Sequence, residues 1–269
     1  MEDVIKDIKG TKNLLDGFLG SSFSKYSDIY FSTNEVLDEI MHDFIFKDKR
    51  VLSVLASGDQ AFYFFGKEAS CVDVFDINKL TFYYYYLRIW AVQFMNIRYI
   101  NNLSHETVLE LLSMVNPKNE NERKAYLYWK NFINSFSSSD YARLFINSDI
   151  IHKNHDYDLG QLKLRFLDLD FNFYNADITL KNNIKNKYDY IYTSNISEYI
   201  QHVKDLEQYR DNLYDLLNDD GVVISSNVAR VHPSILEKIV MRKKFKFHSL
   251  SFLDSFNPNS FGYYYTKRR

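Results

Sequence analysis

A single cysteine, Cys71, occurs in the 269 residues, so no internal disulfide framework can form and a reducing, cytoplasmic setting is expected. Prolines number three and glycines eight, which leaves few places where the backbone is forced to turn. No charge of one sign dominates. The 33 Lys and Arg against 35 Asp and Glu give a formal charge of −2, without the basic face or stripe that nucleic-acid binding requires. The locally basic stretches, Arg242 to Lys246 and Lys267 to Arg269, read as solvated positions around the last strands. The opening "MEDVIKDIKG" is acidic and mixed, unlike a signal peptide. A membrane span is not expected either. The one run that approaches the needed length, "LTFYYYYLRIWAVQFMNI" (Leu80 to Ile97), carries Arg88, Gln93 and Asn96 and directly follows a strand-like run. It reads as a largely buried helix of a soluble protein.

What is present is an alternation. Val51 to Leu55 reads as a buried strand, Asp59 to Gly66 as a helix and Cys71 to Phe75 as a second strand. The long aromatic helix follows, from about Lys79 to Tyr99. Upstream, residues 1–48 have helical spacing and form an N-terminal segment; Ser32 or Thr33 with Glu35 is expected to begin a helix through Met41. From about 104 to 158 strand signals vanish, and "HETVLELLSMV", "ENERKAYLYWKNFINSF" and "SDYARLFINSDI" read as a helical insertion. "LDLDFN" (Leu167 to Asn172) reads as leading into a strand. Alternation resumes with "DFNFYNADI", "YDYIYTSN", a helix over Val203 to Leu217, "GVVISSN" and a helix over Ser234 to Arg242. The last two strands, "FKFHSLSF" and "FGYYYTK", lack an intervening helix and should pair antiparallel. The expected fold is therefore α/β: residues 49–269 form a mostly parallel, Rossmann-like sheet with a C-terminal antiparallel strand.

In such sheets ligands sit beyond the carboxyl ends of the strands, where strand order reverses. Ala56, Ser57, Gly58, Asp59 and Gln60 occupy the first such end. Asp76 ends the second strand at about the spacing from which an acid reaches ribose hydroxyls, with Ile77 beside it. The turn "ASGDQAFYFFG" is not G-x-G-x-x-G, and Asp59 stands where a pyrophosphate would meet a helix N-terminus. With only Lys67 nearby in sequence, that sign disfavours NAD, NADP or FAD and favours S-adenosylmethionine, whose amino-acid tail carries an ammonium. Simple helix capping is the bland alternative for Asp76, and for Asp177 ahead of Ile178.

"VLSVLASGD", "VDVFDIN", "FYNADI" and "YDYIYTSN" resemble, in order, the cofactor motifs of class I S-adenosylmethionine-dependent transferases of the methyltransferase-like fold. The resemblance covers about Lys49 to Ser104 and Phe171 to Lys267. It implies that Gly58 lies by the cofactor's amino-acid part, that Asp76 binds the ribose and that Asp177 and Ile178 neighbour the adenine. Ser194 and Asn195 would border the reaction centre. The glycine loop, "FDIN" and the aromatic helix are also similar to the 3-amino-3-carboxypropyl transferases of betaine-lipid synthesis, which leaves open the group transferred.

"TSNISEY" (Thr193 to Tyr199) is the candidate catalytic stretch: Asn195 and Tyr199 to orient or deprotonate an acceptor, Glu198 as another base. It is similar only loosely to the Asn/Asp-Pro-Pro-Tyr loop of amino-group methyltransferases, since both prolines are missing. "YSDIYFSTNE" is a candidate lid that would use Tyr30 and Thr33 against a sulfonium, although ordinary aromatic packing explains it too. His152, His155, Asp156 and Asp158 match no strong metal-ligand spacing, and no metal is expected. The sequence thus points to a transferase acting on a small molecule or lipid head group. A non-catalytic cofactor-binding scaffold, or an NAD-type oxidoreductase, are the alternatives.

Overall fold

The computed structural model describes residues 2–17, 24–31, 33, 35–95, 103–146, 159–168, 171–180, 183–227, 233–250 and 261–268. In chain order these carry α1 (Glu2–Leu15), β1 (Ile29–Tyr30), α2 (Leu37–Met41), β2 (Arg50–Val54), α3 (Asp59–Gly66), β3 (Cys71–Asp76) and α4 (Lys79–Phe94). Then come α5 (His105–Met114), α6 (Glu120–Ser135), α7 (Ser138–Arg143), β4 (Phe145–Ile146), α8 (Leu159–Arg165), β5 (Phe173–Asn175) and β6 (Tyr188–Tyr192). The remainder is α9 (Val203–Leu216), β7 (Leu217–Asn227), α10 (Ile235–Met241), β8 (Phe245–Ser249) and β9 (Phe261–Lys267). The chain divides into two compact units, 1–33 with 55–59 and 76–169, and 34–54 with 60–75 and 170–269. Residues 1–33 thus group with the helical insertion, and 34–48 with the sheet.

The second unit is built on a seven-stranded sheet of order β5-β3-β2-β6-β7-β9-β8. β2 pairs parallel with β3 and β6, and β6 with β7. β9 runs antiparallel to both β7 and β8. The mostly parallel Rossmann-like sheet with one antiparallel strand, expected from the sequence, is the sheet observed. The chain winds outward from β2 through β3 to β5, and in the other direction through β6 to β7. The switch point therefore lies between β2 and β6. β2 is buried at four of its five positions, as a strand covered on both faces must be.

Register sorts the side chains between the faces. Tyr190, Tyr192 and Tyr264 share one face, where Phe46 meets Tyr190 at 4.8 Å and Phe64 at 4.9 Å, both edge-on. Tyr263 and Tyr265 point the other way, and both donate to the buried carboxylate of Glu237 on α10. On the sheet's side, Asp73 of β3 accepts from the Tyr188 hydroxyl at 2.7 Å and the Asn172 amide N–H at 2.9 Å.

The first unit is mainly helical, with one two-stranded pairing of β1 and β4. α4 is buried on every side from Leu80 through Val92, with Thr81 and Arg88 the polar exceptions in an otherwise apolar and aromatic run. Its Tyr83 stacks on Tyr128 of α6 with ring centroids 3.9 Å apart, and Trp129 Nε1 donates to the Tyr83 carbonyl at 2.8 Å. Asp7 of α1, fully buried, accepts from Tyr26 Oη at 2.7 Å, from Lys79 Nζ at 2.6 Å and from the Tyr83 hydroxyl.

Several expectations need correction. α2 begins at Leu37 with Val36 as N-cap and no side-chain cap, so neither Thr33 nor Glu35 starts it; both are engaged elsewhere. The insertion contains a strand after all: Phe145–Ile146 pairs parallel with Ile29–Tyr30. Two residues are too few to show a periodicity. Leu167 and Asp168 continue α8 as a 3-10 turn instead of leading into a strand, since Phe166 is drawn into the interior. Ser32, the helical reading of 96–99, the turn after Leu250 and the cluster His152, His155, Asp156 and Asp158 lie outside the described residues. Among the described residues no group of acids, histidines and cysteine is placed to hold a metal ion, and no helix is long and apolar enough to cross a membrane.

Candidate functional site

In the first unit, the loop 55–59 leaves the carboxyl end of β2 in a tight turn. Ala56 takes a left-handed φ of 45° and Gly58 a φ of 92°, which glycine alone adopts without strain. A Cβ on Gly58 would lie 2.6 Å from the Tyr85 ring of α4, so the space left by the missing side chain is filled by that ring. The Ala56 N–H donates to Asp76 Oδ2 at 2.9 Å, tying the loop to the end of β3. Asp76 Oδ1 accepts from the Asn78 N–H at 2.8 Å, while Asn78 itself caps α4 through Leu80. Burial raises the Asp76 carboxyl to about 6, against the opposing pull of the N–H groups of Asn78 and Ala56 and the Thr81 hydroxyl. Ile77, half-buried, follows it.

Asp59 is placed differently from the sequence expectation. Arg88, wholly buried in the middle of α4, sets its Nη2 2.6 Å from Asp59 Oδ1 and donates from Nη1 to the Ser57 carbonyl at 2.7 Å. Asp59 Oδ2 accepts from the Ser57 hydroxyl at 2.8 Å and from the Thr33 N–H at 2.7 Å. The reading that no neighbouring Arg or Lys relieves the Asp59 charge is therefore overturned. A guanidinium 29 residues away cancels it. Thr33 reaches the loop by its backbone, and Tyr30, 45% exposed, sits in β1.

In the second unit, the carboxyl ends of β6 and β7 carry their own cluster. Ser194, just past β6, has a left-handed φ of 52°, a conformation that costs a non-glycine residue about 1 kcal/mol or more. Its hydroxyl donates to Glu35 Oε1 at 2.6 Å. Gln60, at the start of α3, donates to Glu35 Oε2 at 2.8 Å, and the Ser226 hydroxyl near the end of β7 donates to Oε1. Glu35 is 4% exposed. Burial, then the Glu35 charge beside it, push the Tyr192 phenol well above its ordinary value.

Asn195 Nδ2 donates to Tyr199 Oη at 3.2 Å across the 3-10 turn 196–199, with Glu198 exposed between them. Ser197 lies inward, within 3.2 Å of the Tyr263 hydroxyl. Asp177 accepts from the N–H and hydroxyl of Thr179, at 2.8 Å and 2.6 Å; it closes a turn and starts no helix. Ile178 beside it is buried, its carbonyl taking the Asn212 amide at 2.8 Å.

Thus Ala56, Ser57, Gly58, Asp59, Thr33 and Asp76 meet in one unit, and Gln60 and Ser194 in the other. Asn195 pairs with Tyr199, while Asp177 and Ile178 stand apart from these bonds. Sequence reading missed Arg88, Glu35 and Ser226. For Arg88 a signal existed: a cation inside an apolar helix needs a buried acid. For Glu35 none did, since an acid before a short helix looks like a cap.

No family model matches the chain, and no curated protein matches it. Among solved structures, N-methyltransferase NodS from Bradyrhizobium japonicum WM9 with S-adenosyl-L-homocysteine is 7% identical, over 86% of this chain and 82% of that one, with a TM-score of 0.40. A TehB-like S-adenosylmethionine-dependent methyltransferase from Corynebacterium glutamicum is 9% identical over 90% and 89%, at 0.45. A ribosomal protein L11 methylase from Lactobacillus delbrueckii subsp. bulgaricus is 13% identical over 86% and 76%, at 0.41. At such distances no substrate and no residue's role passes from one chain to another.

Proposed function

We propose that this protein is an S-adenosylmethionine-dependent transferase. The observation that carries the reading is Asp76: an acid at the carboxyl end of β3, next to the switch-point strand β2, bound to the loop that leaves β2. An ionised carboxylate there accepts both hydroxyls of a ribose. The charge of Asp59 gives no argument about the ligand, because Arg88 neutralises it.

When bound, the cofactor would supply a carbon bonded to a sulfonium: the acceptor would attack that carbon in line, and the carbon–sulfur bond would break with its electron pair leaving on sulfur as a neutral thioether. Ala56, Ser57, Gly58, Asp59, Gln60, Asp76, Ile77 and Ser194 form the cofactor contacts, with Tyr30 and Thr33 from the N-terminal segment and Asp177 and Ile178 near the adenine. Asn195 and Tyr199 orient the acceptor, a small molecule or lipid head group, and Glu198 takes its proton. The setting is cytosolic.

Calorimetric titration with S-adenosylmethionine, S-adenosylhomocysteine and NAD tests the reading. The first two bind; binding of NAD alone would replace it with an oxidoreductase. Mass spectrometry of the spent cofactor then decides the chemistry: S-adenosylhomocysteine reports methyl transfer, and methylthioadenosine reports aminocarboxypropyl transfer.

A further inference from the structure

The basic stretch Arg242 to Lys246 has no part in the transfer reaction, and it continues directly from α10. That helix turns Glu237, Val240 and Met241 inward. Its outer side carries Ile235, 80% exposed, Leu236, 36%, and Ile239, 57%. Ile235, Lys238, Ile239 and Arg242 follow one another at helical spacing, so they share one face of α10 and its cap. Three large aliphatic side chains on the outside of one short helix form an apolar patch of the kind that marks an interaction surface.

The charge around them is positive. Ile235 to Lys246 holds five Lys and Arg and one acid, and that acid, Glu237, is buried. The α9 carboxylates that reach this segment, Glu207 and Asp211, are taken by Lys243 at 2.5 Å and Lys244 at 3.1 Å. Lys238 and Arg242 pair with no carboxylate among the described residues; Lys238 Nζ lies over the Phe247 ring at 5.2 Å. A nucleic acid would offer nothing to the aliphatic side chains. A second copy joined about a two-fold axis would set Lys238 and Arg242 against their own counterparts. An anionic bilayer satisfies both: aliphatic groups enter the boundary between head groups and acyl chains, while Lys and Arg reach back to the phosphates.

We propose that the outer face of α10 docks reversibly on an anionic lipid surface, with Ile235, Leu236 and Ile239 entering the head-group layer and Lys238 and Arg242 meeting lipid phosphates. This goes beyond the cofactor reading and does not depend on it.

The test is flotation of the intact chain, without cofactor, with vesicles of phosphatidylcholine alone or mixed equally with phosphatidylglycerol. Wild type is expected to float with the mixed vesicles and not with the neutral ones, and to be released as salt rises from about 0.1 M to about 0.5 M. Ile235→Ser with Ile239→Ser, and separately Lys238→Gln with Arg242→Gln, should each weaken binding to the mixed vesicles by at least about tenfold. Both should unfold thermally with the wild type, and Ile235→Ser or Arg242→Gln alone replaces a double variant that does not fold. Wild type that binds no vesicle, or either variant binding as wild type does, overturns the proposal. In sedimentation without lipid, a dimer that Ile235→Ser with Ile239→Ser dissolves would give the face to a second copy, and would overturn it too.

Discussion

The Arg88 guanidinium lies 2.6 Å from the Asp59 carboxylate, with neither side chain more than 2% exposed. Removing one partner of such a pair leaves the other charge buried without compensation. Arg88→Met is expected to lower stability by about 3–5 kcal/mol, and Arg88→Met with Asp59→Leu by much less. Urea unfolding of the two variants checks this; equal losses would mean that the charges do not depend on each other.

Asp76 makes a pH prediction. Its carboxyl is raised from 3.8 to about 6, so the folded state holds the proton more tightly than the unfolded state. Its contribution to stability is full below its unfolded value and is lost as pH rises through about 6. Asp76→Asn should therefore gain on the wild type as pH climbs across that window and hold the gain above it. Ribose hydroxyls favour the ionised form, so cofactor binding at about pH 5 should release a proton, seen as a binding enthalpy that depends on the buffer. The same heat in every buffer would remove Asp76 from the ribose.

Gly58 combines a positive φ with a ring 2.6 Å from where a Cβ would stand. Gly58→Ala should cost about 1–3 kcal/mol in thermal or denaturant unfolding. Adding Tyr85→Leu should recover the steric share and leave only the backbone share. No recovery would show that Tyr85 does not fill that space.

Glu237 holds Tyr263 and Tyr265, and Tyr263 reaches Ser197 in the turn that bears Asn195 and Tyr199. Glu237→Ala should speed amide exchange at Glu198 and Ile200, whose N–H groups close that turn. The β2 and β3 amides should be unaffected. Uniform acceleration would mean a global loss of stability instead of a local anchor.

The elements that the sequence made legible are those with strong periodicity or tight composition. α3 falls at Asp59–Gly66 as expected, and β2, β3 and α9 within a residue or so of expectation, because apolar runs and polar breaks coincide there; β6 starts at Tyr188 as expected but ends at Tyr192, three residues short of "YDYIYTSN". β4 was hidden because two residues carry no period, and α2 was overextended because Glu35 is drawn away to Gln60 and two serines. In the candidate site, the loop and Asp76 were visible from strand ends. The partners of Asp59 and Glu35 were not: Arg88 is 29 residues from Asp59, while Ser194 and Ser226 are 159 and 191 from Glu35. Such pairings are set by topology, which local pattern does not encode.

β9 follows β8 in sequence yet lies between β7 and β8, so among the described residues β8 joins the sheet only through β9. The order of synthesis is therefore not an order of assembly: β8 must wait for a later strand before it has anywhere to bond. Until β9 arrives, the far side of β7 presents bare amides and carbonyls to any other extended chain. Slow closure of that gap, and aggregation at high concentration during refolding, are the kinetic costs of ending the sheet out of sequence.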